Sequence, residues 1–175
     1  NDKKYSFRLV NELFDNFSAD KAELASMVFE KCEEYMKINV IKAISDYCLF
    51  EFEPMYIDGT SSKNPAMRIA CVKALGDLAN PKNEQLLITA TYDKDWVVRS
   101  SAVKGLGKID TPRSLEGIKE AIKDKEWWVR QAAAGALINR NVSISDIEDI
   151  LGGYDKYAAD AVKYALYRSI DMKEG

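Results

Sequence analysis

The side chains of this chain that could do chemistry are few and poorly placed for catalysis. There is no histidine, which removes Ser-His-Asp and Cys-His arrangements, HExxH zinc sites and most general-base designs at neutral pH. Carboxylates stand close together at Glu33-Glu34 and at Glu51 and Glu53. With 28 acidic residues in the chain such neighbours arise by chance, and no recognisable pocket motif accompanies them. Gly105-Leu106-Gly107-Lys108 has the outline of the end of a phosphate loop. Ile109 stands where Ser or Thr would hold magnesium, however, and the segment lies inside a helical pattern. Cys32, Cys48 and Cys71 show no C-x-x-C spacing and fall in apolar helical contexts, so they read as reduced, buried thiols. The expectation is no catalytic residue, no metal and no cofactor. What remains is recognition chemistry: Lys42, Lys73 and Lys104 at one constant spacing, and the tryptophans Trp96, Trp127 and Trp128.

Composition bounds the class. The chain has 175 residues, 47% of them apolar and 30% charged, which fits one folded core or a short repeat array and excludes disorder. Its 25 basic and 28 acidic residues give a net charge of −3, without the basic surplus of a nucleic-acid binder. No apolar run approaches the roughly 18 residues of a membrane span. No signal peptide is visible, and the thiols suit a cytoplasmic protein. The chain begins with Asn1 rather than Met, as a fragment or a processed product would.

The elements that position the lysines and tryptophans come from an internal repeat. Four blocks follow one another at an offset of 31: Met36 to Tyr47, Met67 to Leu78, Val98 to Ile109 and Val129 to Arg140. One column holds Lys37, Arg68, Arg99 and Arg130, and another Ile44, Leu75, Leu106 and Leu137. In the third block the apolar positions are Val98, Ala102, Gly105, Leu106 and Ile109, one face of an α-helix. Small residues in its middle let neighbouring backbones approach. The leucine column contributes about 2 kcal/mol of burial per residue. Such a helix needs its counterpart from the next repeat beside it.

Shorter helices connect the blocks. Asp110-Thr111-Pro112 caps and starts one that runs to Ile122. Asn80-Pro81 opens another, ending near Tyr92, and Ser18-Ala19-Asp20 starts one reaching about Glu30. Between Leu49 and Lys63, Pro54, Gly59 and the Thr-Ser-Ser run limit the matching helix to about one turn. Gly152-Gly153 reads as a helix stop. The last helix, Tyr157 to Ile170, fits two registers equally well, and the first, Tyr5 to Phe17, is similarly degenerate. Atypical ends are what a stack of repeats needs.

The phrases DKDWVVRSSAVKGLGKI and DKEWWVRQAAAGALINR resemble the HEAT-like repeats first described in phycobilisome lyase subunits. The likeness is clear over about residues 33–139 and weaker outside them. It implies an all-α fold, a right-handed α-α superhelix of about five helix pairs, forming a single domain over residues 1–175. It also implies that the arginine of each second helix meets the aspartate of the preceding turn, Asp93 with Arg99 and Asp124 with Arg130. Arg68 would share that structural role, although its own turn carries Ser62 instead of an acid.

The resemblance further implies that the second helices line a concave wall, and it says which columns face outward. These are Glu34, Tyr35, Ile38, Asn39 and Lys42 in the first repeat, and Pro65, Ala66, Ile69, Ala70 and Lys73 in the second. The third gives Trp96, Val97, Ser100, Ser101 and Lys104; the fourth gives Trp127, Trp128, Gln131, Ala132 and Gly135. The lysines would make a basic row suited to an acidic partner segment. Trp96 and Trp127 stand where the family often has tryptophan and are expected to pack at the helix starts. Nothing in the repeat requires Trp128, which with Ala132 and Gly135 would form an apolar shelf for a partner side chain.

These readings point to a non-catalytic scaffold that binds a peptide or helix of another protein in its groove. A phycobilin lyase subunit is the enzymatic alternative that the resemblance suggests. Nucleic-acid binding is the weaker one.

Overall fold

The computed structural model describes residues 29–45, 50–140 and 142–174, together with Glu12, Glu23 and Ser26. The expected helices Tyr5 to Phe17 and from Ser18 lie outside the described residues for most of their length, and so does Cys48. Among the described residues there are helices and turns but no strand, and the fold is all-α, of the α-α superhelix kind. Contacts divide the chain into two compact units, Asn1–Leu78 and Ala79–Gly175.

The first unit contains α1 (Glu34–Ser45), a 3-10 turn at Phe50–Phe52, α2 (Glu53–Gly59) and α3 (Pro65–Leu78). α1 and α2 both pack on α3. The α3 core face, Met67, Cys71, Ala74, Leu75 and Leu78, is buried, as are Ile41 and Ile44 of α1 and Tyr56 of α2. α2 is longer than the single turn expected of it. Pro54 lies in its first turn, where a missing N–H costs nothing, so the proline starts this helix and does not limit it. Cys71 is buried as expected, and burial pushes its thiol up to about 12. Cys32 is instead partly exposed. Ala79 follows α3 with a φ of 50°, the left-handed conformation that ends many helices.

The second unit contains a 3-10 turn at Pro81–Asn83, α4 (Glu84–Ala90), α5 (Trp96–Leu106), α6 (Pro112–Ala121), α7 (Trp127–Asn139), α8 (Ile144–Gly152) and α9 (Lys156–Glu174). α4 pairs with α5, α6 with α7 and α8 with α9, while α5 packs on α7 and α7 on α9. Caps set the starts. Asn80 accepts the Lys82 N–H at 3.1 Å, and the Asp95 carboxylate accepts from Val97 N–H at 2.8 Å. Thr111 and Ser114 form a reciprocal capping box with Pro112 in the first turn, worth about 1 kcal/mol. Arg140, just past α7, locks that corner by donating to Ser114 Oγ at 2.8 Å and to the Thr111 carbonyl at 3.1 Å.

The two kinds of helix are buried differently. α6 buries one narrow face, Ser114, Ile118 and Ala121. α5 also packs on α6 and α7, and α7 on α5 and α9, so their burial spreads around the helix to include Arg99, Ser100 and Arg130. Gly107 marks the close approach of the two: a Cβ there would stand 2.9 Å from that of Ala136.

Candidate functional site

In three of the four repeats the start of the second helix is held by an arginine, Arg68, Arg99 or Arg130. Arg99 is buried, and it makes a two-pronged ion pair with the Asp124 carboxylate, Nε to Oδ2 at 2.7 Å and Nη2 to Oδ1 at 2.8 Å. Its Nη1 donates to the Asp93 carbonyl at 3.0 Å. The expected pairing is thus corrected: Arg99 meets its own preceding turn through the backbone and takes the carboxylate of the following turn. Asp124 also accepts the Glu126 N–H at 2.8 Å, so one carboxylate joins two successive repeats. Arg68 likewise donates to the Ser62 and Lys63 carbonyls, at 2.9 and 3.3 Å.

Arg130 breaks the series. Its Nη1 donates to the Asp124 carbonyl at 2.7 Å, not to the Asp124 carboxylate. Its guanidinium lies over the rings of Tyr157 and Trp127, 5.3 and 5.9 Å from their centroids, and its buried Nε has no hydrogen-bond partner among the described residues. The residue equivalent to Asp124, Asp155, caps α9 through Tyr157 and Ala158 N–H groups at 3.0 Å.

Burial works to raise the Asp124 carboxyl, but the hydrogen bonds from Arg99 and the Glu126 N–H outweigh it and hold the group below the usual carboxylate range. The same hydrogen bond raises the Arg99 guanidinium against the opposing effect of burial. A carboxyl depressed below its unfolded value near 3.9 contributes stability that is complete above that pH and lost as pH falls through the folded value. Asp124→Asn should therefore flatten the acid limb of a Tm-against-pH curve below about pH 4. An acid limb as steep as the wild type's would contradict this.

On the other side of α5, α7 and α9 lies an open cavity of about 710 Å³. α5 contributes Trp96, Val97, Ser100, Ser101 and Lys104, and α7 contributes Trp128, Gln131, Ala132, Gly135, Ile138 and Asn139. α9 adds Ala165, Arg168 and Ser169, which sequence reasoning missed because the register of that helix was open. Trp96 and Trp128 stack with centroids 6.5 Å apart and planes at 25°. Trp128 is 61% exposed and Trp96 40%, an area of indole that a monomer gains nothing by showing to water. Gln131 reaches across to donate to the Ala161 carbonyl at 3.4 Å.

The other expected contact residues are placed differently. Trp127 does not line the cavity; its ring meets Tyr164 edge-on at 5.7 Å. In the first unit Tyr35, Lys42 and Lys73 are exposed and Ile69 half-buried. Asn39, read as outward-facing, is only 9% exposed; α1 packs on α3. Lys73 has its own helix's Asp77 at 3.3 Å. No group of three or more metal-ligating side chains is clustered among the described residues.

Gly135 is the odd member of the cavity floor. A Cβ built there meets nothing within 4 Å, so packing does not require glycine, although glycine inside a helix costs about 1 kcal/mol relative to alanine. Gly135→Ala should raise the unfolding free energy by about that amount, and destabilisation in urea would contradict it.

No helix among the described residues is long and apolar enough to cross a membrane. None of the curated proteins matches the chain. Among solved structures it is similar to the complex of CpcE and CpcF of phycocyanin lyase from Nostoc sp. PCC7120, with a TM-score of 0.61 and 20% identity, over 83% of this chain and 97% of that one. This likeness is one of fold. The family description of HEAT repeats matches residues 53–138, the stretch where helix pairs succeed one another at a spacing of 31 residues. By their helix pairs and by that match, residues 53–138 of this chain are HEAT repeats.

Proposed function

We propose that the chain is a non-catalytic scaffold that binds a segment of another protein in the groove across α5, α7 and α9. The observation that carries this reading is the exposed, stacked Trp96–Trp128 pair at the edge of a 710 Å³ cavity. Aromatic anchors in a preformed depression are where binding energy concentrates at interfaces. Lys104 belongs to that groove, and the arginines Arg99 and Arg130 hold the helix starts that shape it; Tyr35, Lys42, Ile69 and Lys73 are candidate contact positions of the first unit by itself. For a partner isolated with the chain from its native source, Trp128→Ala combined with Lys104→Glu should abolish co-purification. A partner retained equally by wild type and variant would end this reading.

A lyase-type role is the second reading, motivated by the likeness to the phycocyanin lyase subunits. Incubation with a bilin should then give a red-shifted visible absorption. No spectral change, with and without a second subunit, would remove it.

A further inference from the structure

We propose that the groove seats an acidic peptide in extended form. One carboxylate would lie over Gly135 between Lys104 and Arg168, and one aromatic or branched apolar side chain would lie against Trp96 and Trp128. This rests on reading the groove as a partner surface. The charge argument is direct. Among the described residues Lys104 and Arg168 are the only ionised side chains lining the cavity, both are cations, and the chain as a whole carries −3. Neither forms an ion pair among the described residues, whereas Lys119 has Asp146 at 2.6 Å and Lys123 has Glu120 at 3.1 Å. Two cations with no ion-pair partner among the described residues, facing one depression, attract an anion and discriminate against a basic partner.

Gly135 gives the seat its shape. It stands in the lysine column, one repeat beyond Lys104, and the space above it is open. Adjacent helices lie about 8–10 Å apart, so Lys104 on α5 and Arg168 on α9 flank this opening within reach of their long side chains. A lysine at 135, which the column would supply, would fill it.

Spacing selects the peptide. Gly135 lies seven residues, or about 10 Å, along α7 from Trp128. An extended chain advances about 3.3–3.6 Å per residue, which puts the apolar anchor and the carboxylate three residues apart. A cavity of 710 Å³ has room for a few side chains of such a segment.

Selection from an unbiased displayed peptide library on the whole chain tests this. The selected peptides are then measured by fluorescence anisotropy against wild type, Trp128→Ala, Gly135→Lys and the Lys104→Glu/Arg168→Glu pair. The expected peptides are net negative with an apolar residue three positions from an acid. The charge-reversed pair should weaken them about a hundredfold, and Gly135→Lys about tenfold despite its added positive charge. Groove peptides, lost with Trp128→Ala, that prove neutral or basic would overturn the carboxylate seat and leave the groove reading standing. So would acidic peptides that tighten with Gly135→Lys. A selection yielding only peptides indifferent to all these variants, or none, would remove both.

Discussion

Replacing Asp124 with alanine should destabilise the chain by about 3–5 kcal/mol. The carboxylate takes both prongs of Arg99 and the Glu126 N–H, and the side chains of the pair are only 7% and 12% exposed. Its removal leaves a charged guanidinium inside the stack with backbone carbonyls alone as partners. A buried charge stripped of its counter-ion costs far more than the net worth of the intact pair. The loss should appear in urea as a lower midpoint with an unchanged slope. Asp110→Ala is the control, because that carboxylate pairs with Arg140 while 99% exposed and should scarcely move the midpoint. A loss below about 1 kcal/mol for Asp124→Ala would mean that the pair behaves as a solvated one.

Leu106→Ala should cost about 2–5 kcal/mol. Leu106 is fully buried and belongs to the column that recurs in every clear repeat. Its Cδ1 lies 3.2 Å from where a Cβ on Gly117 would sit, so α6 closes tightly over it. Close-packed helices on several sides leave little freedom to collapse into the void. Tyr154→Ala, at a fully exposed ring, should be neutral in the same urea series. A Leu106→Ala loss no larger than that of Tyr154→Ala would contradict the packing account.

Much of this was legible because a repeat multiplies each signal. Ile44, Leu75, Leu106 and Leu137 stand in one column, and all are buried. Thr111-Pro112 signalled a helix start through local chemistry alone, and a capping box stands there. The groove floor on α5 and α7 followed from the same columns. Misreadings arose where the repeat pattern ran out or where contacts crossed between repeats. Arg99 was assigned to its own turn, but the carboxylate within reach belongs to the next one. Pro54 looked like a break because a proline that stops a helix and one that starts it are the same residue in sequence. Arg168 could not be placed because α9 fits two registers of the columns equally well, even though Asp155 keeps the spacing of the turn aspartates. Asn39 is a polar residue that packing buried.

The central claim, that a partner lies in the groove across α5, α7 and α9, is most directly tested by site-specific photo-crosslinking. A photo-reactive residue is placed at Ala132 on the groove floor, and in a second protein at Lys123, an exposed position just past α6 on the other helix row. A partner that co-purifies with the chain should crosslink from position 132 and not from 123. Crosslinking from 123 with none from 132 would contradict the account.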